Sequence, residues 1–230
     1  MKRLALIHTL AGVIPIFDGL CRELLPRTDV VNLLDESIMR DLVARGHLDA
    51  DIRRRVCRLA LAAQEAGAAA AMLTCSSISP CADTAAELVT IPVLKVDEPM
   101  AMQAVRRSDL IGVVATLSTT LRPTVALLHA CALRLRRRVR VVAQLCENAF
   151  AARAAGDIAR HNRLIAEGMQ RLARRLAARQ DFQKTRPPTI VLAQASMAEA
   201  VSSLKLPPVI RVLTSPRLAV QHAAHLLDLS

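Results

Sequence analysis

Short apolar runs alternate with longer amphipathic segments along almost the whole chain. Runs of Val, Ile, Leu and Ala that end in polar residues are typical of buried strands, and apolar positions that recur every three to four residues are typical of helices. The pattern predicts strands at residues 3–9, 29–34, 69–74, 91–96, 109–115, 138–145, 189–196 and 209–213. It predicts helices at residues 14–25, 38–45, 49–66, 82–88, 99–107, 123–133, 157–178 and 216–229.

This alternation of strand and helix predicts an α/β fold with parallel sheets and right-handed crossovers. Polar residues directly follow the predicted strands, and in a parallel sheet the carboxyl ends of the strands meet at one edge, where ligands bind. In the first half of the chain these residues are His8-Thr9, Asp35-Glu36-Ser37, Thr74-Cys75-Ser76-Ser77 and Asp97-Glu98. In the second half they are Thr116, Thr119, Thr120, Gln194, Ser196, Thr214 and Ser215, with Arg217 as a possible carboxylate ligand.

The cluster that contains a thiol is Thr74-Cys75-Ser76-Ser77. A cysteine beside free backbone N–H groups at a helix start can have a lowered pKa and react as a thiolate. The alternative is that Cys75 is a small buried apolar residue, as most cysteines are. The neighbouring hydroxyls likewise fit two roles, as anchors for a substrate carboxylate or as caps of the helix that follows.

The composition is that of a globular protein with an aliphatic core. The chain has 230 residues, is 53% hydrophobic, contains no Trp or Tyr, and has a formal net charge of +11 with a pI of about 10.6. The arginines concentrate at residues 53–55, 134–140 and 171–179, where solvated helix faces are the favoured interpretation. Since aromatic stacking platforms are lacking, we expect no nucleic-acid partner. A basic field does favour carboxylate substrates.

The six cysteines are scattered, without a C-x-x-C pair or zinc-ligand spacing, so we expect reduced thiols and no metal site. No glycine-rich phosphate loop is present, and we expect no nucleotide or other cofactor. No signal segment or membrane span is visible in the sequence, which predicts a cytoplasmic protein without a membrane partner.

Three stretches together resemble a known family. They are Thr74-Cys75-Ser76-Ser77, the run Ile111-Gly112-Val113-Val114-Ala115-Thr116 with Thr119 after it, and the late strand from Val191 to Ser196. On these, the chain resembles the aspartate/glutamate racemase superfamily, which also contains hydantoin racemases. The resemblance implies two pseudo-symmetric Rossmann- or flavodoxin-like subdomains with the active site in the cleft between them. It also implies a homodimer and a cofactor-independent isomerase that acts on a small carboxylate or amino acid.

The resemblance assigns residues 1–97 and 214–230 to a first subdomain carrying Cys75, and residues 98–213 to a second carrying Thr119 and Ala195-Ser196. The family uses one cysteine from each half, and the late motif of this chain reads Gln194-Ala195-Ser196, so Ala195 is interpreted as occupying the second-cysteine position. Cys75 is then the single thiol acid or base. The expected substrate-binding residues are His8, Thr9, Thr74, Ser76, Ser77, Thr116, Thr119, Thr120, Gln194 and Ser196.

Three functions stay open at this point. The first is a racemase or isomerase in which Asp97, Glu98, His8 or a water supplies the second proton, because inversion needs an acid and a base on opposite faces of the carbon. The second is a single-thiol lyase that decarboxylates a substituted malonate, which needs one proton donor only. The third is a non-catalytic protein on the same scaffold that uses its charge to bind anions or nucleic acid.

Overall fold

The computed structural model describes residues 1–178, 186–201 and 206–229. Its strands are β1 (Arg3–His8), β2 (Asp29–Leu34), β3 (Ala70–Leu73), β4 (Val93–Lys95), β5 (Leu110–Ala115), β6 (Arg140–Leu145), β7 (Thr189–Leu192) and β8 (Arg211–Thr214). Its helices are α1 (Ile14–Leu24), α2 (Glu36–Arg45), α3 (Ala50–Glu65), α4 (Cys81–Ala86), α5 (Glu98–Arg107), α6 (Ser118–Arg134), α7 (Ala149–Ala154), α8 (Ile158–Ala177), α9 (Ala198–Val201) and α10 (Ser215–Leu229). Short 3₁₀ turns lie at Ala11–Val13 and Ala195–Met197.

The chain divides into two compact units. Unit 1 comprises Met1–Pro99 and Pro216–Ser230, and unit 2 comprises Met100–Ser215. Unit 1 contains a four-stranded parallel sheet in the order β2-β1-β3-β4, and unit 2 contains one in the order β6-β5-β7-β8. The two orders are the same when each is counted from its first strand. The predicted α/β fold with two parallel-sheet subdomains is confirmed.

Each unit has an aliphatic core, because both faces of its central strands are buried. In unit 1, Ile7 and Leu73 of the sheet pack with Leu42 of α2 and with Ile52 and Val56 of α3. In unit 2, Val114 and Ile190 pack with Ile165, Met169 and Leu172 of α8. Residues of this kind on a doubly covered parallel strand form a near-continuous apolar run, which explains why the strands could be recognised in the sequence.

Two aspartates of unit 1 cap helices, and one of them, Asp35, lies at a strand exit. Asp35 caps α2 by accepting a hydrogen bond of 3.0 Å from the Ser37 backbone N–H, and it forms an ion pair of 2.9 Å with Arg55 of α3. Asp49 caps α3 in the same way, at 2.9 Å from the Ile52 N–H. An aspartate at the N-cap satisfies donors that lack an intrahelical partner. This accounts for Asp35 without a ligand.

The structure differs from the predicted elements around residues 118–154. The helix predicted at 123–133 begins five residues earlier, at Ser118, and contains Pro123. Because proline is favoured at the first position of a helix, Pro123 looked like a helix start, whereas it is the sixth residue of α6. The short helix α7 was not predicted, because its six residues are too few to show a helical repeat.

Gly112 occupies a crowded position on β5. A β-carbon there would lie 2.7 Å from Leu172 Cδ2, 3.1 Å from Leu176 Cδ1 and 3.2 Å from Ile190 Cγ1. We therefore expect Gly112→Ala to lower the free energy of unfolding by about 1–3 kcal/mol, the usual cost of overpacking a core. Urea denaturation measures this.

The matched control is Gly19→Ala on α1, where a β-carbon would have no atom within 4 Å. That variant should be more stable than the wild type by up to about 1 kcal/mol, because alanine favours the helix. An unchanged stability of the Gly112 variant would mean that Leu172 and Leu176 can move aside freely.

Candidate active site

The candidate thiol lies in the turn that joins β3 to α4. The backbone N–H groups of Ile78 and Ser79 both donate to the Cys75 carbonyl oxygen, at 3.1 Å each, so the chain reverses directly after Cys75. Thr74, Ser76 and Ser77 are buried, whereas Cys75 is half-buried. The turn therefore positions one thiol at the carboxyl end of the unit 1 sheet, as the strand pattern predicted.

Four hydrogen-bond donors act on the Cys75 thiol and lower its pKa. They are the Thr9 hydroxyl, the backbone N–H and hydroxyl of Ser77, and the backbone N–H of Ile78. Thr9 follows β1, and β1 is the neighbour of β3 in the sheet, so the strand order itself brings Thr9 to the thiol. Donors in this arrangement stabilise a thiolate, because the ionised sulfur accepts hydrogen bonds more strongly than a neutral thiol does.

The pKa of Cys75 nevertheless lies above its ordinary value, because burial raises it more than these four hydrogen bonds lower it. The lowered pKa that the sequence led us to expect is therefore wrong for the free protein. At the buried thiols of Cys81 and Cys146, burial and distant charges shift the pKa, and hydrogen bonds are not among the causes. Burial raises the pKa of Cys81 to about 12 and that of Cys146 to about 11, and the charges of Arg53 and Arg171 respectively oppose it from a distance. The raised pKa favours the neutral thiol of Cys75, whereas the hydrogen bonds from Thr9, Ser77 and Ile78 favour its ionised form.

A chain of hydrogen bonds leads from Thr74 to the outer part of unit 1. Thr74 Oγ1 lies 2.8 Å from His8 Nδ1, His8 Nε2 lies 2.9 Å from Asn32 Oδ1, and Asn32 Nδ2 donates to Asp18 Oδ1 at 3.1 Å. Asp18 also lines a cavity of about 450 Å³ beside α1 and β2. Asn32 and Asp18 were not among the site residues expected from the sequence. An asparagine within the apolar run Val-Val-Asn-Leu-Leu was the available signal.

The donor directions determine which ring nitrogen of His8 carries the proton. Because Asn32 Nδ2 donates to the Asp18 carboxylate, its Oδ1 must accept from His8 Nε2–H. Thr74 has a single hydroxyl proton, which it donates to the Ile7 carbonyl oxygen at 2.9 Å or, when His8 Nδ1 is unprotonated, to that nitrogen at 2.8 Å. Burial lowers the pKa of His8 below its ordinary value, against the opposing effects of Asn32 and Asp18. The neutral Nε2–H form is the one that fits these contacts.

Removing the Asn32 acceptor should change this tautomer. We expect Asn32→Leu to move the proton of His8 from Nε2 to Nδ1, because Nδ1–H can still donate to Thr74 Oγ1 while Nε2–H would lose its partner. The ¹⁵N chemical shifts of the His8 ring report the position directly. Asn32→Asp is the control, since it keeps an acceptor oxygen and should keep the Nε2–H form. The same tautomer in Asn32→Leu and the wild type would contradict the prediction.

A buried carboxyl group supports the same turn from β4. Asp97 is 1% exposed, and its Oδ1 accepts a hydrogen bond of 2.8 Å from the Ser79 hydroxyl. Its Oδ2 has no hydrogen-bond partner among the residues that the structure describes. Burial raises the pKa of Asp97, and the bond from Ser79 opposes that effect. Asp97 therefore stabilises the turn through its hydrogen bond with Ser79. Its carboxyl group binds a proton more tightly than an ordinary aspartic acid does.

Unit 2 has a comparable contact at the carboxyl end of its own sheet. Gln194 Oε1 accepts from the Thr116 backbone N–H at 2.7 Å and from the Thr116 hydroxyl at 2.9 Å. Thr116 follows β5 and Gln194 follows β7, which is next to β5 in the sheet. Because both bonds use the amide oxygen, the amide NH₂ group of Gln194 is turned away from Thr116.

The strand register identifies which residue of unit 2 corresponds to Cys75. Ile7 pairs with Leu73 in unit 1, and Val114 pairs with Leu192 in unit 2. The next backbone bonds agree, since Thr74 N donates to the Ile7 carbonyl and Ala193 N donates to the Val114 carbonyl. One residue further along, Cys75 corresponds to Gln194.

The earlier assignment of Ala195 to this position is therefore off by one residue. The apolar run Val-Leu-Ala contains nothing that marks the end of pairing, so the sequence alone could not determine the register. Ala195 instead begins the 3₁₀ turn that follows.

The remaining candidates are distributed as follows. Thr119 lies in the first turn of α6, and its buried Oγ1 has no partner within the described part of the chain. Thr120 is buried next to it, and Ser196 lies in the 3₁₀ turn after Gln194. Arg217 is engaged elsewhere, because it forms hydrogen bonds of 2.6 and 2.9 Å with the carboxylate of Glu23, so its interpretation as a carboxylate ligand is not supported.

Comparison with known proteins agrees with this arrangement. The family model described as Asp/Glu/Hydantoin racemase matches residues 17–223. The chain belongs to this racemase family. Similar solved structures include a glutamate racemase isoform from Bacillus anthracis, at 14% identity and a TM-score of 0.74 over 99% of this chain and 82% of that one. Another is an allantoin racemase from Klebsiella pneumoniae, at 18% identity and a TM-score of 0.69 over 100% and 89% of the two chains.

A putative Asp/Glu racemase from Yersinia pestis is similar over 98% of this chain and 99% of its own, at 16% identity and a TM-score of 0.72. No curated protein matches the sequence. At these identities the solved structures show the fold, and membership in the racemase family rests on the family model.

Membrane-spanning helices and metal-binding clusters are both absent from the described residues. In those parts of the chain no helix is long and apolar enough to cross a membrane. Nor do residues 1–178, 186–201 and 206–229 contain a group of three His, Cys, Asp or Glu side chains arranged to hold a metal ion. Within this racemase-family chain, the groups at the carboxyl ends of the described strands include a thiol, hydroxyls, amides, one imidazole and the carboxyl groups of Asp35 and Asp97.

Proposed function

We propose that this racemase-family protein is a cofactor-independent enzyme that transfers a proton at the carbon next to the carboxylate of a small carboxylic or amino acid, with Cys75 as the acid or base. The observation that carries the proposal is the convergence of four donors on the Cys75 sulfur. A thiol with that environment gains most from ionisation, whereas a cysteine with a packing role alone needs no donors.

In the proposed step, the Cys75 thiolate takes the proton from the α-carbon and becomes a thiol, while the electron pair of the C–H bond moves into the substrate carboxylate as an enediolate. The reverse step returns the proton to carbon. Hydroxyls and backbone N–H groups at the strand ends would bind the carboxylate and stabilise its developing charge. We propose the following residues for this role: Thr9, Ser76, Ser77, Thr116, Thr119 and Ser196. We propose Thr74 and Thr120 as well, with His8 supporting the site through its hydrogen bonds to Thr74 and Asn32.

Gln194 limits what the reaction can be. An amide neither gives nor takes a proton near neutral pH, so the position equivalent to Cys75 offers hydrogen-bond donors in place of an acid. We therefore propose that exchange occurs on one face of the carbon and that inversion is much slower than exchange. The NH₂ group of Gln194 would donate to a substrate oxygen.

The test is proton exchange in deuterated water. Dialysed protein is incubated with a panel of dicarboxylic and amino acids, and ¹H NMR follows loss of the α-hydrogen while chiral chromatography follows inversion. The proposal expects exchange of at least one substrate with retained configuration. Absence of exchange across the panel, with folded protein, would count against it.

A second candidate is a lyase that decarboxylates a substituted malonate. Gln194 favours it, because loss of CO₂ creates the carbanion and a single thiol then suffices to protonate it. The raised pKa of Cys75 also suits a step that begins with a protonated donor. Release of CO₂ from a malonate panel separates this activity from exchange.

We also propose a homodimer that acts in the cytoplasm. The basis is the family resemblance for the assembly and, for the compartment, the free state of the six cysteines. Light scattering coupled to gel filtration should give twice the chain mass of 24.9 kDa. A mass of one chain at micromolar concentration would contradict the dimer.

A further inference from the structure

The positive charge of this protein belongs almost entirely to unit 2. Unit 1, with residues 1–99 and 216–230, contains 12 Lys and Arg and 14 Asp and Glu, which is a net charge of −2. Unit 2, with residues 100–215, contains 19 Lys and Arg and 6 Asp and Glu, which is a net charge of +13. The two values together are the net +11 of the chain. The charge is thus a property of one unit.

Much of this charge lies at the amino end of the unit 2 sheet, opposite to the carboxyl end that holds Thr116 and Gln194. Strands of a parallel sheet begin at one edge, and the helices that precede them end there. Eight arginines with exposed side chains lie in those strand starts, helix ends and loops, and we call them the arginine face: Arg106, Arg107, Arg134, Arg136, Arg138, Arg140, Arg186 and Arg211. Asp109 is an acidic residue at this edge, and Arg137 forms an ion pair with it.

Hydrogen bonds and strand pairing connect these residues into one surface. The Arg106 carbonyl oxygen accepts hydrogen bonds from Arg137 Nη1 at 2.5 Å and from Arg186 Nη1 at 2.6 Å, which ties three loops together. Arg140 pairs with Leu110 at the start of β5, and Arg211 pairs with Thr189 at the start of β7. Arg140 and Arg211 therefore stand on the two outer strands of the sheet, about 14 Å apart at the usual strand spacing.

Helix ends explain only part of this face. Arginines in the last turn of a helix complement its dipole, which accounts for Arg106 and Arg107 of α5 and for Arg134 of α6. Arg136 and Arg138 lie in the loop after α6, and Arg140 and Arg211 begin strands. None of these four forms an ion pair with an acidic residue in the described ranges. Their mutual repulsion has no compensation within the described structure.

We propose that the arginine face binds the phosphate backbone of a nucleic-acid duplex. A duplex presents about eight phosphate charges along 14 Å of its axis, which matches the length and charge of this face. The guanidinium group binds phosphate oxygens through two parallel hydrogen bonds, which suits a face made of arginine. The proposal concerns the end of unit 2 remote from its candidate site residues, and it does not depend on the proposed enzymatic activity.

Other polyanions and partners fit this face less well. Single-stranded nucleic acid is bound through stacking on aromatic rings, and a membrane interface favours aromatic anchors, whereas this face contains no aromatic residue. A symmetric contact between two copies of the face would bring like charges together. A duplex that is bound through its phosphates needs no aromatic contacts, and its charge is opposite to that of the arginine face. None of these objections therefore applies to it.

The experiment measures binding of the full-length protein to a fluorescein-labelled 24-base-pair DNA duplex, and to an RNA duplex of the same sequence, by anisotropy between 50 and 200 mM NaCl. We expect binding to at least one duplex, with an affinity that falls steeply with salt. The triple variant Arg136→Glu, Arg138→Glu and Arg140→Glu should bind at least 30-fold more weakly. Replacing the same three residues with alanine should make the slope of log K against log salt shallower by about 2.7, if each contacts one phosphate.

The matched control is Arg22→Glu, Arg27→Glu and Arg40→Glu in unit 1, three exposed arginines that give the same change in net charge. This control should weaken binding less than fivefold, and circular dichroism should show both variants to be folded. The proposal is overturned by any of three results: no binding to either duplex at 50 mM NaCl, equal weakening by the two triple variants, or binding to phosphatidylserine vesicles without binding to the duplexes.

Discussion

Cys75→Ser is expected to lower the rate of α-proton exchange by at least about 10³-fold, because it removes the one group that carries the proton. General acid–base catalysis contributes typically 10² to 10⁴ in rate. A serine keeps the size and the hydrogen bonds of the turn, but its hydroxyl is far too weak an acid to replace a thiol. ¹H NMR in deuterated water, on the substrate found in the panel, measures the loss.

Cys57→Ala is the matched control for this variant. Cys57 lies on α3, is 6% exposed and packs in the aliphatic core of unit 1. Its loss should lower the stability slightly and leave the exchange rate within about twofold of the wild type, because Cys57 lies on α3 and not in the turn that joins β3 to α4. Exchange that survives in Cys75→Ser would remove Cys75 from the mechanism, whereas loss of exchange in both variants would point to misfolding.

Gln194→Cys should raise the ratio of inversion to exchange by at least about tenfold, because a thiol can serve as an acid or base where an amide cannot. The family pattern has a thiol from each half of the chain, and the register of β7 on β5 makes Gln194 the counterpart of Cys75. Chiral chromatography and NMR on the same reaction give the ratio directly.

Ala195→Cys is the control that distinguishes the two registers. It introduces the same thiol one residue later, at the position that the sequence motif had indicated. We expect little or no gain in inversion from it, since adjacent residues at a strand end direct their side chains differently. A gain with Ala195→Cys and none with Gln194→Cys would mean that the correspondence drawn from the register does not extend to the reacting groups.

The charge distribution also changes how the composition should be interpreted. In the sequence, the arginines at 134–140 look like part of a solvated helix and strand entry, and Arg106, Arg186 and Arg211 lie well away from them. The parallel sheet gathers them because strand starts and helix ends share one edge. This gathering, rather than the net charge, is the reason to test a duplex, and it replaces the expectation of no nucleic-acid partner with a proposal.

The sequence by itself determined the fold class and drew attention to the candidate thiol. Continuous apolar strands ending in polar residues, such as Leu4–Ile7 before His8 and Ala70–Leu73 before Thr74, can be read locally because burial on both faces of a parallel strand leaves a mark on every residue. Cys75 could be found for the same reason, since it directly follows such a run.

Only the tertiary structure decided the matters that depend on pairing between distant segments. The register of β7 on β5 made Gln194, rather than Ala195, the counterpart of Cys75, and a slip of one residue reverses every side chain on a strand. The contacts of His8 with Asn32 and Thr74 join three strands, and the arginine face joins residues up to about a hundred positions apart. Such relations leave no periodic signal, because a chain's local pattern records how deeply each residue is buried and not which partner it meets.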